Sequence, residues 1–151
     1  MFVFFGLVAV MGTEFVQTGF LSWEGLLVAV AVGAISASIN LVNNIRDIPT
    51  DAEADKRTIA VRLGDARARG LFTALTCVPS VVSVLLALVY APALVGLVAL
   101  PLAIAAVMKV RSGATGTALI PVLGLNGKAM LAWAVLTAVA LAFGGAVVPY
   151  A

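Results

Sequence analysis

The sequence contains no histidine and a single cysteine, and only 11% of its 151 residues carry a charge. Without histidine, the chain lacks the side chain that most often acts as a general base or metal ligand near neutral pH. The single thiol, Cys77, lies in an apolar run, which excludes a disulfide within the chain and predicts a buried, inert cysteine. The formal net charge of +2 is too small to indicate nucleic-acid binding.

Long apolar runs take the place of these polar groups. The chain is 63% hydrophobic with a mean hydropathy of +1.17, whereas a soluble domain is about 45–50% apolar and about 25% charged. A membrane-spanning helix needs about 20 mostly apolar residues. Four runs reach that length, at about 26–45, 71–90, 91–108 and 129–148, and a weaker run at 1–20 is interrupted by Glu14 and Gln17. We therefore predict an all-α integral membrane protein, with one domain over 1–151 and about five transmembrane helices.

The basic residues predict the orientation in the membrane. All nine lysines and arginines fall in two connectors, at about 46–69 and 109–128. Two predicted spans separate these connectors, so both emerge on the same side. Short loops rich in lysine and arginine remain in the cytoplasm. We therefore expect two cytoplasmic loops in a multi-pass protein of the cell (inner or plasma) membrane.

The first connector begins with a dense polar cluster against the end of an apolar run. Asn40, Asn44, Asp47 and Asp51 follow one another at steps of four, three and four residues, which forms a single stripe on a helix. A lone asparagine in a membrane is usually a packing contact, but a stripe of amides and carboxylates is a functional candidate by default. Pro49 leaves two alternatives: a kinked helix, or a new turn with the proline near its first position.

Carboxylates followed by cations suit a magnesium ion and a phosphorylated substrate. Magnesium is usually held by one or two carboxylates and by substrate phosphate oxygens, so Asp47 and Asp51 are the candidate ligands. Asp55 is better interpreted as a solvated acid that balances its neighbours. Lys56 and Arg57 lie close enough in sequence to neutralise a diphosphate. Three further arginines are interpreted as anchors for anionic lipid: Arg62, Arg67 and Arg69.

The order NNIRDIPTD followed by KRT-x-A-V-R-L-G resembles the second aspartate-rich motif of the UbiA-type membrane prenyltransferases. It is most similar to the menaquinone-pathway branch, which acts on 1,4-dihydroxy-2-naphthoate. FGLVAVMGT-x-FVQTG near the start and PVL at Pro121 are similar to the same branch. The resemblance covers essentially the whole chain but only the second half of a nine-helix fold. The first aspartate-rich motif is not present, so we expect the C-terminal half of such an enzyme, from a truncated gene model or a split protein, inactive without its missing N-terminal half.

The resemblance also implies roles for individual residues. In that family Mg²⁺ joins two cytoplasmic aspartate-rich loops to the diphosphate of a polyprenyl donor, which implies Asp47 and Asp51 as catalytic carboxylates and metal ligands. The implied reaction prenylates 1,4-dihydroxy-2-naphthoate with loss of CO₂ and gives demethylmenaquinone. The family usually has glycine where this chain has Asp55. Arg57 is included because it lies close in sequence to the carboxylates. The predicted diphosphate-binding residues are therefore Asn43, Asn44, Arg46, Lys56 and Arg57. Asn40 is predicted to line the substrate cavity.

Three alternatives remain open from the sequence. A different branch of the superfamily would use another aromatic acceptor, such as homogentisate or 4-hydroxybenzoate. A non-catalytic membrane subunit would complete its cavity with a second polypeptide. A small transporter would use the polar stripe as an ion pathway, although such a pathway does not call for the ordered basic residues of the loop.

Overall fold

Seven helices follow one another in the computed structural model, which describes residues 1–143. The first helix, α1, combines a π-helical stretch with α-helical turns, and α6 and α7 each open with 3₁₀ turns. No strand occurs in the described range. The bounds are α1 Phe2–Thr18, α2 Trp23–Arg46, α3 Ile48–Glu53, α4 Ile59–Leu63, α5 Asp65–Ala87, α6 Ala91–Arg111 and α7 Gly116–Phe143.

Four helices, α2, α5, α6 and α7, are long and apolar enough to cross a membrane, and α1 is a shorter apolar helix. The prediction of an all-α, multi-span membrane bundle is therefore confirmed. The weakest predicted span, at 1–20, corresponds to the shorter helix. The predicted span at 129–148 ends beyond the described residues, and its described part belongs to α7.

The second predicted loop, at 109–128, is helical over most of its length, so that prediction is wrong there. Helix α6 continues through Arg111, and α7 begins at Gly116, so the connector is 112–115. Gly113 and Gly116 take positive φ angles of 82° and 53° and turn the chain. The residues that follow, Leu119 and Val122, are almost completely buried. Their burial against other helices favours a helix where composition alone indicated a loop.

The expectation of a buried cysteine is also wrong, because Cys77 lies exposed on the outer face of α5. That face carries other exposed apolar side chains, including Val81 and Val84. In a membrane protein, an apolar segment can face lipid. A residue with apolar neighbours in the sequence is therefore not necessarily buried within the protein.

The two larger of three buried apolar clusters in the described residues hold the long helices together. Around Trp133, one cluster joins α2, α5, α6 and α7, and the indole Nε1–H donates to Ser83 Oγ at 2.8 Å. The second cluster, which we call the connector core, lies at the other end of α2 and supports both connectors. Its buried members are Leu41, Val42, Ile45, Ala60, Ala68, Phe72, Ala106, Val110, Leu119 and Val122.

Helix α1 packs on α2 through a close glycine contact. A Cβ atom on Gly6 would lie 2.5 Å from the carbonyl oxygen of Ala29 and 2.7 Å from the Cα of Gly33. These distances leave no room for a side chain, so the two backbones approach as small residues allow in membrane bundles.

We expect Gly6→Ala to lower the thermal midpoint of the detergent-solubilised chain, because an added methyl group at a filled contact costs about 1–3 kcal/mol. The matched control is Gly12→Ala in the same helix, where a Cβ would meet nothing within 4 Å. Alanine has the higher helix propensity, so the control should keep or raise the midpoint. Equal shifts in the two variants would contradict the packing.

Candidate functional site

Helix α2 ends where the polar cluster becomes charged. Asp47 leaves helical geometry, with φ −95° and ψ 6°, and α3 begins at the next residue with Pro49 in its first turn. A proline there removes an N–H that has no partner within the helix anyway. Of the two alternatives at Pro49, the structure shows the new turn. The Asp51 N–H still donates to the Asp47 carbonyl at 2.8 Å, so the two aspartates lie one helical turn apart.

Asp51 is the buried carboxylate of this site. The residue is only 6% exposed although it lies in a short helix at the edge of the bundle. Its Oδ1 accepts a hydrogen bond from Lys56 Nζ at 3.1 Å, whereas its Oδ2 is buried without a partner. The Lys56 backbone N–H also donates to the Asp51 carbonyl, at 2.8 Å. A buried carboxylate oxygen without a partner is costly, and a bound cation would satisfy it.

Asp47 is the more accessible of the two carboxylates and is held by its neighbour. The Arg46 guanidinium donates from Nε to Oδ1 at 2.6 Å and from Nη2 to Oδ2 at 2.8 Å. These hydrogen bonds lower the pKa of Asp47 below its usual 3.8, partial burial opposes them, and the charges of Arg46 and Lys56 lower it further. The carboxylate is therefore ionised at neutral pH and available to a cation.

The loop after α3 turns through an unusual backbone conformation at Asp55. Its φ of 50° places it in the left-handed region, as the one non-glycine residue of the described chain with a positive φ. An L-amino acid in this region is strained, whereas glycine is not. The Asp55 side chain is exposed, and its Oδ1 lies 3.7 Å from Arg57 Nε. This contact agrees with the interpretation of Asp55 as a solvated acid.

The basic residues of the loop point into solvent at the same end of the bundle. The Lys56 side chain is 65% exposed and the Arg57 side chain 74% exposed. Thr58 then caps α4, accepting a hydrogen bond from the Val61 N–H at 3.4 Å. Helix α4 buries Ala60 in the connector core, which fixes the end of the loop.

The three asparagines in the last turns of α2 line two cavities. Asn40 and Asn44 line the first, of about 420 Å³, between α1, α2 and α5, with an otherwise mainly apolar wall. Asn40 and Asn43 line the second, of about 290 Å³, which also contacts Met130 of α7. Both cavities lie beside the last turns of α2. The two asparagines of the predicted stripe, Asn40 and Asn44, therefore share the first cavity, whereas Asn43 lies on the second.

The residues present could hold a magnesium ion whose coordination shell is completed by another group. Asp51 offers an unpartnered buried oxygen, and Asp47 offers an ionised carboxylate one turn away. Within residues 1–143, no group of three or more His, Cys, Asp or Glu side chains converges. Two carboxylates with phosphate oxygens form an ordinary magnesium site. The two carboxylates of the described chain could therefore supply part of such a coordination shell.

Sequence reasoning missed two polar residues that the fold buries. Arg69, predicted to be a lipid anchor, is only 8% exposed and forms hydrogen bonds within the protein, so that prediction is wrong. Asn126, predicted to lie in a loop, is fully buried in α7 and donates to Ser38 Oγ of α2 at 2.6 Å. Neither residue belongs to a recognisable motif. Arg62 and Arg67 are exposed, and their interpretation as lipid anchors stays a prediction.

Most of this chain is similar to known proteins. Residues 1–119 match the UbiA prenyltransferase family. The chain is 56% identical over 143 residues to 1,4-dihydroxy-2-naphthoate octaprenyltransferase of Mycobacterium tuberculosis, covering 95% of this chain and 49% of the relative. It is 50% identical over 146 residues to the enzyme of that name from Mycobacterium leprae, covering 97% and 50%. The chain thus spans about half the length of these relatives. No solved structure matches it significantly.

The backbone at Asp55 leads to a stability prediction. Asp55→Gly removes the left-handed strain, about 1 kcal/mol, and should raise the thermal midpoint in detergent by about 2–4 °C. The matched control is Ala54→Gly, where φ is −85° and glycine offers no relief, so its midpoint should fall. A lower midpoint for Asp55→Gly would show that the side chain stabilises the loop more than the strain costs.

The ion pair at Asp47 leads to a pH prediction. A carboxylate whose pKa is lowered by folding stabilises the fold above its unfolded pKa and loses that effect as the pH falls through the folded value. The stability difference between the wild type and Asp47→Asn should therefore be constant above about pH 5 and shrink below 3.8. Acid unfolding followed by circular dichroism measures it, with the exposed Asp55→Asn as control. Parallel curves for wild type and Asp47→Asn would refute the effect.

Proposed function

Because this chain belongs to the UbiA prenyltransferase family, we propose that it forms about half of a membrane-bound polyprenyltransferase. The proposed reaction moves a polyprenyl chain from its diphosphate to 1,4-dihydroxy-2-naphthoate and yields demethylmenaquinone. The names of the mycobacterial relatives support this acceptor, and they make octaprenyl diphosphate the first donor to test. The observation that carries the proposal is the buried Asp51 carboxylate with its unpartnered oxygen, one turn from Asp47. Both follow the end of α2, where Asn40 and Asn44 line a largely apolar cavity.

In this proposal, Asp47 and Asp51 hold a magnesium ion together with the diphosphate. When bound, the ion neutralises part of the negative charge that grows on the departing diphosphate. The chain's own contribution is to orient both carboxylates. Asp51 is oriented by the first turns of α3 and by Lys56, and Asp47 is oriented by the paired hydrogen bonds from Arg46.

The basic side chains bind the diphosphate oxygens in this proposal. The Lys56 ammonium has three donors, and Asp51 accepts one of them. Arg57 is exposed, and its contact with Asp55 is loose and solvated. Donors placed where charge develops stabilise a transition state without proton transfer. The chemistry therefore does not need the histidine that the chain lacks.

The cavities suit the two organic parts of the reaction. The first has apolar walls from Phe2, Leu71 and Leu75, and Asn40 and Asn44 form a polar edge. Each methylene of a polyprenyl chain buried on such a wall contributes about 0.8 kcal/mol. In this proposal Asn43, which lines the second cavity, donates to the diphosphate or to the acceptor. The end of α2 that holds these groups is the cytoplasmic end in our proposal, because the basic connectors lie there.

The test is prenyl transfer in membranes from a host that makes no menaquinone. The chain is expressed alone and together with the part of the M. tuberculosis relative that lies outside the aligned segment. Labelled octaprenyl diphosphate, Mg²⁺ and a panel of acceptors are supplied. We expect prenylated product from 1,4-dihydroxy-2-naphthoate when both parts are present, and little or none from this chain alone. Product formed only with homogentisate or 4-hydroxybenzoate would move the chain to another branch.

In the same assay, Asp51→Asn and Asp47→Asn should each lower Mg²⁺-dependent turnover by about 100-fold, because each removes charge from the site at which the leaving group is stabilised. Arg67→Ala, an exposed position outside the site, is the control and should stay near the wild-type rate. Immunoblots of the membranes check that all variants insert equally. Near-normal turnover in either aspartate variant would remove that residue from the metal site.

A further inference from the structure

Arg69 is a buried cation that joins two parts of the chain far apart in sequence. The residue is 8% exposed and lies in the second turn of α5. Its Nε donates to Asp65 Oδ2 at 2.7 Å within the same helix. Its Nη2 donates to the Ala114 carbonyl at 2.9 Å, and its Nη1 donates to the Val110 carbonyl. One guanidinium thus holds the end of α6 and the connector that follows it.

The acceptors of these bonds explain why the arginine is buried. Val110 is the penultimate residue of α6, and the last carbonyls of a helix have no partner within it. They also form the negative end of the helix dipole, which favours a cation. A guanidinium satisfies several acceptors at once with its planar fork of donors, which a lysine cannot do. A lipid anchor would instead present its charge to the membrane surface.

The residues held by Arg69 pack against the end of α2. Val110 belongs to the connector core together with Val42 and Ile45 of α2. Beyond Ala114, the turn Gly116–Leu119 contacts α2, and Leu119 is buried in the same core. These contacts support the turn of α2 that carries Asn43, Asn44 and Arg46 and ends at Asp47.

We propose that Arg69 is a positioning residue for the candidate site. It clamps the α6–α7 connector to α5, and the clamped connector holds the last turn of α2 through the connector core. The position of the diphosphate-binding residues on α2 therefore depends on a side chain that touches none of them. The catalytic consequence rests on the proposed function, whereas the structural consequence does not.

Hydrogen–deuterium exchange of the detergent-solubilised chain tests the clamp directly. Arg69→Gln should speed exchange in two segments, 112–119 and 41–47, while 23–38 in the other half of α2 stays unchanged. Arg69→Lys, which reaches one carbonyl, should give a smaller increase in the same two segments. The matched control is Arg67→Gln, an exposed arginine of the same helix that should leave both segments as in wild type.

Kinetics in the two-part membrane assay tests the consequence for the reaction. Arg69→Lys should raise the KM for octaprenyl diphosphate about tenfold, as expected for a residue coupled through packing. The KM for the acceptor is measured in parallel, because the same turn of α2 carries Asn43 on the second cavity. Arg67→Gln should leave both constants unchanged.

The outcomes separate the two proposals. Faster exchange around the α6–α7 connector with 41–47 unchanged, or no change anywhere, would show that Arg69 only caps α6 and would overturn the inference. If Arg69→Gln unfolds the chain, Arg69→Lys is judged by the same two segments. A wild-type pair that transfers no prenyl group would defeat the proposed function, while the exchange result would still decide whether Arg69 holds α2.

Discussion

The hydrocarbon core of a bilayer offers no water to a polar group, and the described structure depends on this constraint throughout. Every long segment is helical, because a helix satisfies its own backbone. Two pairs of buried side chains form hydrogen bonds across helices: Asn126 donates to Ser38, and Trp133 donates to Ser83. Charges collect at helix ends, where water, a neighbouring side chain or a backbone carbonyl can receive them. The candidate site lies at such an end.

The connector core fixes the position of that end of α2. The last turns of α2 place Leu41, Val42 and Ile45 among apolar residues from α4, α5, α6 and α7. The same turns carry the asparagines and Arg46 on their other faces. Burial on one side therefore sets the position of polar groups on the other, as rigid elements do for sites in general. Asp51 is buried, while the side chains of Lys56 and Arg57 are exposed.

Much of this could be predicted from the sequence because it depends on local chemistry. Run length and hydropathy located the long helices, and the fixed φ of proline limited what could follow Asp47. Predictions failed where a residue's role depends on its partners. Composition indicated a loop at 109–128, but burial of Leu119 and Val122 makes most of it helical. Cys77 was predicted to be buried but is exposed, because an apolar run can face lipid. Arg69 was predicted to be a lipid anchor but is buried, because its guanidinium donates to backbone carbonyls.

The sequence by itself determined the class of protein, the end of the bundle that carries charge and the order of carboxylates and cations in the loop. These properties follow from residue types and spacing, which act within a few residues of one another. Only the tertiary structure decided that Asp51 is the buried carboxylate, that the asparagines divide between two cavities and that Arg69 joins α5 to α6. Burial and hydrogen-bond partners depend on which helices meet, and residues far apart in the chain determine that together.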